Sequence, residues 1–203
     1  MKMTRTGPAG RSFPFGGPAG EGHEKAGIRP ESDTPDIRGK RILLRALRPS
    51  DAGLLTLYCS DPRVARMTTS IPHPYPPGAA EDFIAAAAKP DAREIAWVID
   101  GTPSGRPELV GTIGLRASPI GRELGYWVAP PVWRQGIATE GVGLLARTNP
   151  LGDRAFVASV FFDNPASAAV LDRCGFVEAG ADQGYSVARG EAVERRRFRL
   201  VLR

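Results

Sequence analysis

The sequence predicts an α/β fold of the α+β kind: a mixed, mostly antiparallel sheet covered by helices. Three observations carry that expectation. Strand-like and helix-like segments alternate through the middle of the chain, and hairpin-like strand pairs stand at both ends. Of the 203 residues, 42% are hydrophobic, enough to close a core. The length suits one ordinary domain and an appendage.

Taken in order, residues 1–40 are rich in Gly and Pro, and Phe13, Phe15 and Ile28 are too sparse to build a core. They read as a flexible arm ahead of a domain over 41–203. Arg41–Arg48 is the first strand, closed by Pro49, and Ser50 and Asp51 are capping residues for a helix through Leu54, Leu55, Leu57 and Tyr58. A short helical piece follows Asp61-Pro62. The run Ile71-Pro-His-Pro-Tyr-Pro-Pro77 excludes regular helix and interior strand. Gly78–Ala88 reads as a helix, with Pro77 near its start and Pro90 beyond its end. Strands are expected at Glu94–Asp100 and Leu109–Leu115 around a Gly/Pro turn, then at Leu124–Ala129. The next helix runs from Gly136 to about Arg147. Arg154–Phe162 reads as a buried strand and Pro165–Cys174 as a helix capped by Asn164. Strands near Gly184–Ala188 and Arg195–Leu202 end the chain.

Composition narrows the function classes. No apolar run approaches the roughly 18 residues needed to cross a bilayer, and Met1–Phe15 lacks the apolar block of a secretory signal. Cys59 and Cys174 make no disulfide framework and fit a reducing cytoplasm; Cys174 sits in an apolar helical pattern as a packing thiol. The net charge of +5 is uneven, with Arg195, Arg196, Arg197, Arg199 and Arg203 crowding the C-terminus. Without interleaved aromatics this run reads as a solvated strand face rather than a nucleic-acid stripe.

The most informative stretch is Glu123-Leu-Gly-Tyr-Trp-Val-Ala-Pro-Pro-Val-Trp-Arg-Gln-Gly-Ile-Ala-Thr-Glu140. An apolar strand enters a Gly-centred turn that opens a helix. Such a junction aims unpaired N–H groups at one point where the helix dipole favours negative charge, so a phosphate is its natural occupant. The expected donors are the amides of Arg134, Gln135, Gly136, Ile137, Ala138 and Thr139, with the Thr139 hydroxyl and the Arg134 guanidinium beside them. Gly136 lets the backbone approach a ligand closely. Pro130 and Pro131 lack N–H groups, so the strand is expected to lose a partner there and leave a slot for an amide-bearing ligand. Neither a dinucleotide fingerprint nor a P-loop is present.

A second segment, Phe161-Phe-Asp-Asn-Pro-Ala-Ser-Ala-Ala-Val-Leu-Asp-Arg-Cys-Gly-Phe176, follows. Asn164 is placed to cap a helix or to offer its amide to a ligand, and Ser167 points the same way one turn on. Val170, Leu171 and Cys174 make the apolar stripe, and Gly175 suits a left-handed stop. Together the two segments resemble the GNAT superfamily of acyl-CoA-dependent N-acyltransferases, and within it the branch that acetylates ribosomal-protein N-termini. Tyr126, Trp127, Pro130, Trp133, Gln135, Gly136, Ala138, Thr139 and Glu140 match the first motif of that branch; Asn164, Ser167, Val170, Leu171, Gly175 and Phe176 match the second. The resemblance spans about residues 40–203.

It implies a sheet splayed at its centre, between 124–129 and 154–162. The pantetheine arm of acetyl-CoA would lie in the opening against Trp127 and Val128. The pyrophosphate would sit on residues 134–139, with Asn164 and Ser167 flanking the thioester. Acetyl-CoA is then a co-substrate, no metal is required, and transfer runs directly to the amine without an acyl-enzyme. No Ser–His–Asp set is needed, and His23 and His73 offer no base. The implied group for polarising the thioester carbonyl is the Val128 amide; Glu123, which starts the strand bordering the slot, is either a base acting through water or an ordinary strand-end charge. Leu171 stands where many GNAT enzymes carry a Tyr acid, leaving Ser167 as the substitute. Tyr126 has suitable chemistry but faces the other way along its strand and reads as packing. The acceptor is expected over the loop with His73 and Tyr75, the helix 78–88 and the hairpin 184–190, with Glu81 and Asp82 either holding its ammonium group or serving as first-turn helix charges. A peptide or protein α-amine is the first acceptor class. A small-molecule amine, or a non-catalytic CoA-sensing or ribosome-associated module, is the alternative, in a monomer or homodimer.

Overall fold

The computed structural model describes residues 34–89 and 91–202. Most of the predicted arm, residues 1–33, and Pro90 lie outside the described residues. In chain order the elements are β1 (Ile37–Arg38), β2 (Leu43–Arg45), α1 (Ala52–Cys59), α2 (Pro62–Ala65), α3 (Ala79–Ala87), β3 (Glu94–Asp100), β4 (Gly111–Ser118) and β5 (Gly121–Val128). Then come α4 (Ile137–Thr148), β6 (Ala155–Phe161), α5 (Pro165–Arg173), β7 (Val177–Ser186) and β8 (Glu191–Val201). The sheet runs β1-β2-β3-β4-β5-β6-β8-β7, antiparallel throughout except where β5 meets β6. The mixed sheet covered by helices is as expected.

Side chains alternate across the sheet, and directly paired residues share a face. One face carries Trp97, Ile99, Ile113, Leu115, Leu124 and Tyr126, by register of β3, β4 and β5. On it packs α4, whose Gly141 lies against Ile42, Ile99 and Ile113. The other face carries Glu94, Ala96 and Val98 on β3, Arg116, Gly114 and Thr112 on β4, and Glu123, Gly125 and Trp127 on β5. Here α1 packs, with the Tyr58 and Trp127 rings 6.5 Å apart between centroids. The two helical layers thus leave two chemically different sides of one sheet.

Three differences from the sequence reading have physical causes. Asp51 does not cap α1 through its side chain. Its carboxylate is buried and accepts from Arg45 (2.8 and 2.9 Å) and from the Arg48 amide (2.7 Å), while Arg45 also donates to Asp100 at 2.8 Å. A buried cation drew the capping residue inward; breaking such a pair costs about 3–5 kcal/mol. Ile37–Arg38, assigned to the arm by its composition, forms β1 against Leu43 and Leu44, and Trp97 Nε1 donates to the Pro35 carbonyl at 3.0 Å. One apolar residue, Ile37, is too little to show periodicity. The last hairpin also begins earlier than expected, because Val177–Ala181 is exposed and is held by pairing to β8 rather than by an apolar face.

Candidate active site

The centre of the sheet is unequal on its two sides. Along β4, β5 is paired from Gly121 to Val128, and Ala129 N–H still donates to the Val110 carbonyl at 2.8 Å. Along β6 the pairing consists of Arg122 with Phe156 and Glu123 with Val157. Beyond Glu123 the two strands part. Backbone hydrogen-bonding direction alternates along a strand, so the odd residues through Ala129 serve β4. The amides of Tyr126 and Val128 therefore face the opening. The slot is not made by Pro130 and Pro131, as the sequence reading supposed; it opens on the other edge, where β6 diverges before the prolines are reached. Trp133 Nε1 donates to the Val128 carbonyl at 2.6 Å, which leaves the Val128 amide as that residue's group for a ligand.

Below the opening lies the Gly136 turn. Arg134 and Gly136 both have left-handed backbone, with φ of 62° and 76°. The first bond of α4 runs from Glu140 N–H to the Gly136 carbonyl at 3.0 Å, so the amides of Ile137, Ala138 and Thr139 precede it and are orphaned. No side chain caps them. A residue that sequence reasoning missed holds the turn in place. Arg41 donates to the carbonyls of Gln135 (2.8 Å) and Gly136 (3.3 Å) and, through Nε, to Glu140 at 2.7 Å. Its amide also donates to Glu140, whose carboxyl is held below the usual range by these bonds against a burial penalty. Pulling both carbonyls toward Arg41 leaves the amide side of the turn facing outward. The Gln135 side chain is spent on the Pro131 carbonyl and on Arg106, each at 2.9 Å.

On the far side of the opening, Asn164 Oδ1 caps α5 by accepting the Ser167 amide at 3.1 Å. The capping reading of Asn164 is thus the one realised, with the side-chain NH2 left over. Ser167 Oγ lies 2.8 Å from the Tyr126 hydroxyl, which also donates to the Ser167 carbonyl at 3.1 Å. Burial pushes the Tyr126 phenol well above its ordinary value. Tyr126 does face away from Glu123, as the alternation predicted, yet its hydroxyl reaches the site by crossing to α5. The general need of a buried Tyr O–H for a partner was the available signal. Leu171 is fully buried in the core.

A cleft of about 1860 Å³ joins these parts. Trp127, Val128, Arg134, Gly136, Ile137, Ala138, Thr139, Asn164 and Ser167 line it, and so does Glu123. Gln135 acts in the turn without lining the cleft. Glu123 is half-exposed and paired with Arg116, its register neighbour on β4. Across the cleft from α5 the wall is made by residues 63–69; His73, Tyr75 and α3, over which the acceptor was expected, do not line the cleft. The hairpin tip braces that wall: Val187 N–H donates to the Thr69 carbonyl (3.0 Å) and Arg189 to the Arg66 carbonyl (2.9 Å) and to Asp163 (3.0 Å). Tyr75 is instead turned inward beside Cys59, whose thiol burial pushes up to about 12. Glu81 and Asp82 are exposed in the first turn of α3, as expected of dipole charges.

The family model of the acetyltransferase (GNAT) domain matches residues 41–177. The chain belongs to the GNAT acetyltransferase family. A relative, the uncharacterized N-acetyltransferase YoaA of Bacillus subtilis, is 31% identical over 121 residues, 57% of this chain and 67% of YoaA. Among solved structures, the microcin C7 self-immunity acetyltransferase MccE, in complex with acetyl-CoA and AMP, aligns with a TM-score of 0.69 at 17% identity, covering 86% of this chain and 98% of that one. The ribosomal-protein-S5-alanine acetyltransferase of Vibrio fischeri aligns at 0.64 and 18% identity, covering 82% and 96%. These structures share the GNAT fold. Family membership makes the chain an N-acetyltransferase with acetyl-CoA as acyl donor. The opening beside β5 and the outward amides of the turn fit that donor: an amide-bearing arm and a diphosphate need those two features side by side.

Proposed function

We propose that the protein moves an acetyl group from acetyl-CoA directly to a primary amine, with a peptide or protein α-amine as the first acceptor class. The observation that carries this reading is the one-sided opening of β5 above the Arg41-held turn. The diphosphate rests on the amides of residues 134–139, and Arg134 adds charge at the mouth. The pantetheine amides hydrogen-bond the free edge of β5 beside Trp127, and the Val128 amide polarises the thioester carbonyl. Attack by a neutral amine forms the C–N bond; the C–S bond then breaks, the sulfur takes a proton from the Ser167 hydroxyl, held by Tyr126, and the proton shed by the nitrogen restores that hydroxyl. Asn164 fixes the start of α5 that presents Ser167. Glu123, paired with Arg116 on the acceptor side, orders the amine or its water.

The acceptor class follows from the open wall at residues 63–69, where Arg63 is paired with Asp61 and Arg66 with Asp163, so that an extended chain end meets balanced charge. The two solved neighbours differ here by name, one for the alanine of a ribosomal protein and one for immunity to a microcin. A small-molecule amine therefore remains the alternative acceptor. The test is incubation with acetyl-CoA and an alanyl peptide, free alanine or spermidine, following thiol release, with acetyl-CoA binding read by calorimetry. Release with the peptide alone supports the reading. Release with a small amine alone replaces the acceptor, and failure to bind acetyl-CoA removes the donor assignment of the Gly136 turn.

A further inference from the structure

We propose that Glu94 receives the acceptor's ammonium group over the glycine floor of the cleft and takes its proton, a role that Glu123 does not fill. The inference rests on the acetyltransferase reading of this cleft and names its proton acceptor. Glu94, Arg116 and Glu123 form one row across β3, β4 and β5, on the face opposite α4. Within that row the two carboxylates are not equivalent. Glu123 is already paired with Arg116 and is part-exposed to solvent. Glu94 also lines the cleft, but its Oε2 is buried and has no hydrogen-bond partner.

The position of that carboxylate is set by a missing side chain. Glu94 Oε1 leans over Gly114, where an added Cβ would collide with it. Gly114 is paired with Gly125, so this level of the sheet is bare on both strands. Gly125 immediately precedes Tyr126, whose amide faces the opening. The Glu94 carboxylate thus lies on the floor that leads to the free edge of β5, one strand in from it. A buried carboxylate oxygen without a partner is costly unless a cation meets it or a proton neutralises it. The incoming ammonium supplies the first and, by giving up a proton, the second.

The electrostatics agree with the geometry. Burial pushes the Glu94 carboxyl up from 4.5 to about 8; the Glu123 charge adds to this and Arg116 opposes it. Those are the charged groups that face it, from β5 and β4. A base that titrates near neutral pH is well matched to an ammonium, whereas an ordinary carboxylate is a weak one. The protons balance. The ammonium gives one to Glu94, which passes it to solvent, and the neutral nitrogen attacks the thioester carbon. The nitrogen then loses its second proton as the C–S bond breaks, and one proton ends on the sulfur.

Glu94→Gln and Glu123→Gln decide the matter with the alanyl peptide, free alanine and spermidine as acceptors. In the wild type kcat/KM should rise with pH up to about 8. Glu94→Gln should lower kcat/KM about 100-fold at that pH, with acetyl-CoA affinity unchanged, and the rise left to it should follow the acceptor's own ammonium, moving to higher pH from the alanyl peptide to spermidine. Glu123→Gln should keep the wild-type rise with all three acceptors. A rise in Glu94→Gln that matches the wild type with spermidine, or its loss in Glu123→Gln alone, overturns the proposal. A second measurement needs no turnover. Excess ethylammonium, compared with the same concentration of potassium, should raise the wild-type melting temperature above pH 8 more than that of Glu94→Gln. Equal shifts overturn the proposal. Folding is checked in the same scans. The folded carboxyl binds its proton more tightly than the unfolded one, so its contribution to stability declines as pH rises from 4.5 through 8. Glu94→Gln should escape that decline. Wild-type turnover with an unaffected Glu94→Gln rejects this inference alone, whereas loss of acetyl-CoA binding by the wild type rejects the donor reading.

Discussion

At the donor end of the cleft the ligand-facing groups are backbone amides, whereas at the acceptor end they are side chains brought together from three strands and two helices. The donor end needs little from any one side chain beyond permission to fold. Gly136 grants the left-handed turn, and Arg41 turns two carbonyls aside so that the amides face out. In the proposed reaction the acceptor end depends on chemistry at single atoms: the Ser167 hydroxyl, the Glu94 carboxylate, the Arg116–Glu123 pair. Changes at the donor end should therefore alter acetyl-CoA affinity and spare turnover. Changes at the acceptor end should alter turnover and spare affinity.

Apart from the Glu94 variant, the largest expected effect is that of Ser167→Ala. Its hydroxyl is the proposed proton source for the leaving sulfur, and its loss should lower kcat by roughly 100-fold, the lower end of the general-acid range. The α5 cap is made by the Ser167 backbone amide, so the helix should persist. Steady-state kinetics beside calorimetry check both halves. A large loss of acetyl-CoA affinity with kcat intact would move Ser167 to the donor end and break the division.

The same division explains what could be read from the chain. The turn, its helix and the Asn164 cap are local: each is written in contiguous residues whose φ preferences and capping chemistry are known without a fold. The strand boundaries at Glu94–Asp100 were legible for the same reason, through an apolar run between turn residues, whereas the strand expected at Leu124–Ala129 starts earlier, at Gly121, where no apolar run marks it. The Glu94 site is not local. It exists because Gly114 and Gly125 fall opposite one another in a register that no sequence window contains. Arg41 was read only as the start of a strand that in fact begins at Leu43, and its role was hidden because its partner Glu140 is 99 residues away. Tyr126 was judged by its strand face, correctly, but the helix that meets its hydroxyl comes 41 residues later. In β7 the signal itself was missing, because an exposed strand has no alternation to show.

Gly136→Ala is the next test in size. Left-handed backbone costs a residue with a Cβ about 1–2 kcal/mol, which corresponds to roughly a tenfold change in a binding constant. The added Cβ would also stand 3.3 Å from Arg41 Nη2, the flexible end of the group that holds the turn. Calorimetry should show acetyl-CoA binding about tenfold weaker, while kcat at saturating acetyl-CoA stays near the wild-type value. If kcat falls in step with affinity, the turn also positions the thioester, and the two ends are not separable.

The smallest effect belongs to Tyr126→Phe, and it sharpens the acceptor end most. The substitution keeps the ring in its packing and removes the hydroxyl that bonds Ser167 Oγ and the Ser167 carbonyl. If Tyr126 only positions Ser167, the loss is that of one hydrogen bond, about 1 kcal/mol, or roughly fivefold in kcat. Acetyl-CoA affinity should not change. A loss equal to that of Ser167→Ala would mean that the two hydroxyls act as a unit. The Ser167→Ala, Tyr126→Phe double variant checks the premise: no loss beyond that of Ser167→Ala is expected if Tyr126 acts through that hydroxyl, whereas additive losses would mean that Tyr126 acts independently of it.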